Sequence, residues 1–143
     1  PLIMNLSFLF HLCSWAVLPG WLLLVFLPRW KWTQRITTFF LVIPLAALYL
    51  GFFLANWNSH LSFSSLDSVY AILQSPAMVL AAWIHFLIFD LFVGSWMVRD
   101  GQRLAIPHVL LIPCLVLTFL MGPAGLVLYL LLRLGLKKAL AAS

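Results

Sequence analysis

Four stretches of this chain are apolar over lengths that match a bilayer, and that limits the folds open to it. They cover residues 2–27, 36–57, 77–98 and 108–132. Crossing hydrocarbon takes roughly 20 residues at about 1.5 Å per residue. Charged residues are 8% of the chain, against about 25% in a soluble domain. A soluble fold built from this text would lack a water-compatible surface. The expectation is a single all-α domain over residues 1–143: a polytopic membrane four-helix bundle in contact with membrane lipid.

The polar residues fall between these stretches. Pro28 ends the first, which carries His11 and a kink signal at Pro19-Gly20; RWKWTQR follows, with Trp30 and Trp32 as interfacial anchors. Pro44 interrupts the second. In the long Ser-rich loop, SLDSVYAIL suggests a short interfacial helix capped by Ser65 or Asp67. The loop RDGQRLAIP precedes the fourth stretch, which contains Pro113 and Gly122-Pro123-Ala124-Gly125. The net charge is +5 and sits at helix ends, so it reads as a topology determinant rather than a nucleic-acid surface. With four crossings, Arg29, Lys31, Arg35, Arg99 and Arg103 lie on one side. Arg133, Lys137 and Lys138 then lie on the other, with both termini. Cys13 and Cys114 are isolated in apolar text and read as small core residues. The sequence begins at Pro1 rather than Met, so an upstream segment is expected.

A shift of 68 residues aligns Trp15 with Trp83, Gln34 with Gln102 and Arg35 with Arg103; one further residue aligns Leu41–Pro44 with Leu110–Pro113. Both halves then read as helical hairpins, a pseudo-repeat within the bundle.

Chemistry concentrates on the third stretch, where His85 and Asp90 sit in apolar surroundings. An ionisable group there costs roughly 2.5–3.5 kcal/mol on insertion scales, so it usually has a task. The two lie about 140° apart around a helix. Phe89, Phe92 and Trp96 share the His85 side; Gly94 leaves room beside Asp90. Thr118 is the depth-matched polar partner for Asp90. Interhelical hydrogen-bond glue, at about 0.6–2 kcal/mol each, is the competing reading for all of these. A second cluster gathers Arg29, Lys31, Thr33, Arg35, Arg99, Asp100, Arg103 and His108 at a helix end. It reads as an Asp100 salt bridge between loops, or as a site for a polar end group at the mouth of an apolar cleft. His11 and His85 could ligate haem or chlorophyll magnesium. No resident metal site is expected, and hydrolase, phosphate-loop and paired-cysteine motifs are absent. A small transporter with Asp90 as a proton-coupled site is a further reading.

The pieces FLPRWKWTQR, WIHFLIFDLFVGSWMVRDGQR, IPHVLLIPC and LTFLMGPAGLVLYLLLR resemble the four-helix family of the abscisic-acid-deficient-four protein, or neoxanthin synthase. The resemblance covers nearly the whole chain. Its recurring positions fall on Arg29, Trp30, His85, Asp90, Gly94, Asp100, Pro107, His108, Pro113, Cys114, Thr118, Gly122, Pro123 and Gly125. It implies xanthophyll metabolism in a plastid, thylakoid or bacterial membrane, converting an epoxide to an allene with no required cofactor. The resemblance carries no catalytic assignment; for that reaction the residues themselves suggest Asp90 as acid and His85 as base. Phe89, Phe92 and Trp96 would line the polyene, and the Arg29, Arg99, Asp100, Arg103 and His108 cluster would orient a ring hydroxyl. The alternative is a non-catalytic subunit of a photosynthetic complex, binding chlorophyll or carotenoid.

Overall fold

The structure is a computed structural model describing residues 2–57 and 62–141. Residues 58–61 of the long loop lie outside the described residues, as do the Lys137 and Lys138 side chains. Among the described residues every regular element is helical. Three of the stretches are long and apolar enough to cross a membrane: Asn5–Phe26, Thr33–Ala55 and Pro76–Arg103.

The first consists of α1 (Leu2–Ala16) and α2 (Leu18–Phe26), which meet at Val17. Pro19 explains the break, since its ring cannot follow a continuous helix and its missing N–H suits a first turn. A tight turn closes when the Thr33 hydroxyl donates to the Leu27 carbonyl at 2.5 Å. From α3 (Thr33–Arg35) the chain widens into a π-helical segment (Ile36–Val42) before α4 (Ile43–Ala55). The Ile43 N–H reaches back five residues, to Thr38. Pro44 follows directly, so the widened turn absorbs a proline that would clash in a regular helix. The expected interfacial helix is α5 (Leu66–Ile72), capped by Ser65, whose hydroxyl accepts from the Ser68 N–H at 3.2 Å.

The central element is α6 (Pro76–Arg103). It packs on α1, α2, the π-helical segment, α4 and α7. Leu80, Ile84, Ile88, Leu91, Met97 and Val98 recur near helical spacing and are buried in the core. Its end is a two-bond reversal: Ile106 N–H donates to the Gly101 carbonyl at 2.8 Å and Ala105 N–H to Gln102 at 3.2 Å. The residue between helix and exit in such a motif is left-handed and usually glycine. Here it is Ala105, at φ 54°. Ala105→Gly relieves its Cβ strain, and we expect it to stabilise the protein by about 1 kcal/mol; thermal unfolding in detergent reads this directly.

The expected fourth crossing is two helices. α7 (His108–Met121) ends at Gly122 and α8 (Pro123–Ala141) turns back along it. Gly122 adopts φ 48°, ψ −98°, a conformation closed to most side chains, and Pro123 starts the next helix. Gly125 permits the close return: a Cβ there would strike the Thr118 hydroxyl and backbone and the Cys114 carbonyl. α7 spans roughly 21 Å, less than the roughly 30 Å of a hydrocarbon core. The hairpin therefore returns toward the end it started from. Arg133 sits with Asp100, on the same side as Arg29, Arg99 and Arg103, which corrects the four-crossing topology and its division of charge. The two loop segments of the expected pseudo-repeat lie side by side, but the return helices differ. Gln34 and Ser95 bond across at 2.5 Å and Gln102 donates to the Pro28 carbonyl at 2.7 Å, but only the second return helix folds back.

Candidate functional site

Asp90 is half-buried on α6 and lies against the tip of the α7–α8 hairpin. A Cβ at Gly122 would come within 2.8 Å of its Oδ1. The carboxyl lines a cavity of about 510 Å³ with Ser14, Trp83, Phe86, Phe119, Gly122 and Pro123 among its walls. The N-terminal end of α8 borders this cavity. Lipid-exposed irregular backbone is not tolerated at membrane depth; a turn there is buried or lines a cavity. Gly122 meets both conditions, being buried and part of the wall. Half-helix N-termini beside an ionisable group are a recurrent way to build a site near mid-membrane.

Two further apolar cavities adjoin. One, of about 500 Å³, shares Trp83 and Phe86 with the first and also contains His11, Leu73 and Pro76. The other, of about 230 Å³ between α2 and α7, shares Phe119. Trp83 forms part of the partition, held where its Nε1–H donates to the Ser14 hydroxyl at 2.9 Å and its ring lies 5.3 Å from Phe10. The series follows α1 and α2 from Leu6 to Phe26, roughly 30 Å at about 1.5 Å per residue. Asp90 is the one acid along it.

His85 is elsewhere. It is exposed, stacks on Phe89 at 4.6 Å, and lines another cavity of about 210 Å³ with Tyr49, Phe53 and Met78, which shares Leu73 and Phe86 with the cavity that contains His11. None of these cavities is lined by both His85 and Asp90, or by both His85 and His11. Phe89 and Phe92 face outward, 55% and 42% exposed, while Trp96 turns inward onto Tyr129 at 5.4 Å. Thr118 does not partner Asp90. Its hydroxyl donates to the Cys114 carbonyl at 2.7 Å and lies 3.8 Å from Met97 Sδ.

Asp100 does not tie the loops together. It is 8% exposed and accepts from the Tyr129 hydroxyl at 2.5 Å. Arg133 Nε lies 2.8 Å from its Oδ2, an ion-pair contact outside hydrogen-bond alignment, while Nη2 donates to Oδ1 at 3.4 Å. Gly125, Tyr129 and Arg133, four residues apart, make the face with which α8 locks onto α7 and α6. Tyr129 and Arg133 were not among the expected site residues; that four-residue spacing is the signal that marks them. His108 Nε2 bonds the Val25 carbonyl at 2.8 Å and fixes the start of α7. Arg29, Arg99 and Arg103 are exposed, with Arg99 over the Phe92 ring at 6.0 Å.

Comparison with curated proteins and with solved structures gives no match. The family model described as ABA DEFICIENT 4-like matches residues 8–129, which include α6, the hairpin turn and Asp90. A match over this much of the chain shows the family, and the protein, an apolar helical membrane protein, belongs to the ABA DEFICIENT 4-like family.

Proposed function

We propose that the protein is a membrane isomerase acting on a xanthophyll, opening an epoxide to an allene as neoxanthin synthase does. The observation that carries this reading is the Asp90 carboxyl in an apolar cavity at a broken-helix turn. The reaction has no net redox change. The C–O bond of the epoxide breaks, the adjacent C–H bond breaks, and the electrons of the latter form the new C=C bond. The oxygen gains a proton and becomes a hydroxyl. A carboxyl group can serve both ends, one oxygen donating to the epoxide while the other accepts the proton from carbon. The group returns to its starting state, so a second ionisable residue is not needed. His85, lining a different cavity, is left out of the proton transfers. The epoxide ring sits beside Asp90, and the polyene runs past Trp83 and Phe86 into the cavity that contains His11.

The test is expression in a host that accumulates violaxanthin and lacks neoxanthin. Chromatography of the pigments should show an allenic product of the same mass as the substrate. A pigment profile identical to that of the empty host, with the protein present in the membrane, rejects the isomerase reading.

One observation favours a second reading. His85 makes no hydrogen bond among the described residues and faces outward between Phe89 and Tyr49. A neutral imidazole so placed can ligate a chlorophyll magnesium in a photosynthetic assembly. Stoichiometric chlorophyll absorption in the gently purified protein, lost in His85→Leu, supports that reading over the first.

A further inference from the structure

The end of the molecule formed by the 27–35 turn and the end of α6 has an unbalanced charge. Arg29, Lys31, Arg35, Arg99 and Arg103 are all exposed there. The Gln102 to Pro28 and Gln34 to Ser95 hydrogen bonds hold these segments side by side. The chain has three acids. Asp67 lies on α5, next to the opposite end of α6, and Asp90 lines the cavity. Asp100 alone lies at this end, and it is buried under Tyr129 and Arg133. The returning hairpin therefore sequesters the one available counter-charge. Five exposed cations face outward with no exposed acid among the described residues at this end. Trp30 and Trp32 are 45% and 39% exposed beside them, and the Arg35 guanidinium lies 5.2 Å over the Trp32 ring. Indole rings of this kind settle at headgroup depth.

We propose that this rim binds the anionic headgroups of the leaflet it faces, lipids carrying phosphate or sulfonate. Guanidinium forks match such groups in a bidentate way, and a lysine adds a point charge. The indoles hold the cations at the depth where those groups lie. This assignment does not rest on the isomerase reading. Each near-surface cation favours anionic lipid by about fivefold.

Native mass spectrometry of the purified full chain, titrated with equal phosphatidylglycerol and phosphatidylcholine, tests it. We expect phosphatidylglycerol adducts to exceed phosphatidylcholine adducts by about fivefold or more. The variant R29Q/K31Q/R103Q should lower the ratio severalfold while its thermal melt stays unchanged. Should that variant unfold, R35Q/R99Q gives the same reading. Equal adducts on the wild-type chain overturn the proposal. So does competition by soluble glycerol phosphate, which would make the ligand a free phosphate. A preserved lipid ratio with loss of a copurifying acidic protein also overturns it and assigns the rim to that protein.

Discussion

Asp90→Asn abolishes allene formation while the protein still accumulates in the membrane. Asparagine keeps the shape of the side chain beside Gly122 but cannot exchange a proton. General acid–base catalysis contributes about 10²–10⁴-fold, and the proposal places both proton transfers on this one group, so the loss should reach the upper end of that range. The same substitution should not weaken the fold. An ionisable side chain at membrane depth costs roughly 2.5–3.5 kcal/mol, so Asp90→Asn and Asp90→Leu should unfold at the same temperature as wild type or higher. Pigment chromatography and thermal unfolding on one preparation separate the two roles. A residue kept only as interhelical glue would lose stability instead and leave the product intact.

Asp100→Asn should give the largest loss of stability. It leaves Arg133 without its counter-ion in a protein-enclosed position, and removing one partner of a buried pair costs about 3–5 kcal/mol. Arg133 retains 26% side-chain exposure, which places the expected value at the lower end. The Tyr129 hydroxyl loses its charged acceptor at the same time. Adding Arg133→Leu to Asp100→Asn should recover most of the loss, since an apolar replacement for both charges is often neutral. Denaturant titration in mild detergent, followed by circular dichroism, measures each step. Because this pair docks α8, and α8 begins at the Asp90 cavity, Asp100→Asn should also lower product yield.

Three spans were legible from length and hydropathy alone, and the Ser65 cap from its position before an amphipathic turn. Asp90 stood out in the sequence because an acid in apolar membrane text is expensive. The hairpin was not. Residues 108–132 have the length of one crossing, and hydropathy cannot separate one apolar helix from two folded together. The distinguishing signs are local: Gly122 directly before Pro123, then Gly125, Tyr129 and Arg133 on one face. Asp100 pairs with a residue 33 positions away across a reversed helix, whereas the loop cations looked nearer in sequence. The side faced by His85 was also hidden, since lipid-facing and core-facing residues are both apolar in a membrane helix. Phe89 and Phe92 suited a pigment cleft or the lipid boundary equally well as text, and both face outward. The widened turn before Pro44 had its cause in view, but sequence does not say whether a proline kinks a helix or is absorbed by a π-helical segment.

The most direct measurement uses the purified chain in liposomes with violaxanthin as the only pigment and no redox partner added. The account predicts neoxanthin from the wild-type protein and none from Asp90→Asn. Violaxanthin that is retained by the wild-type protein but chemically unchanged would contradict it.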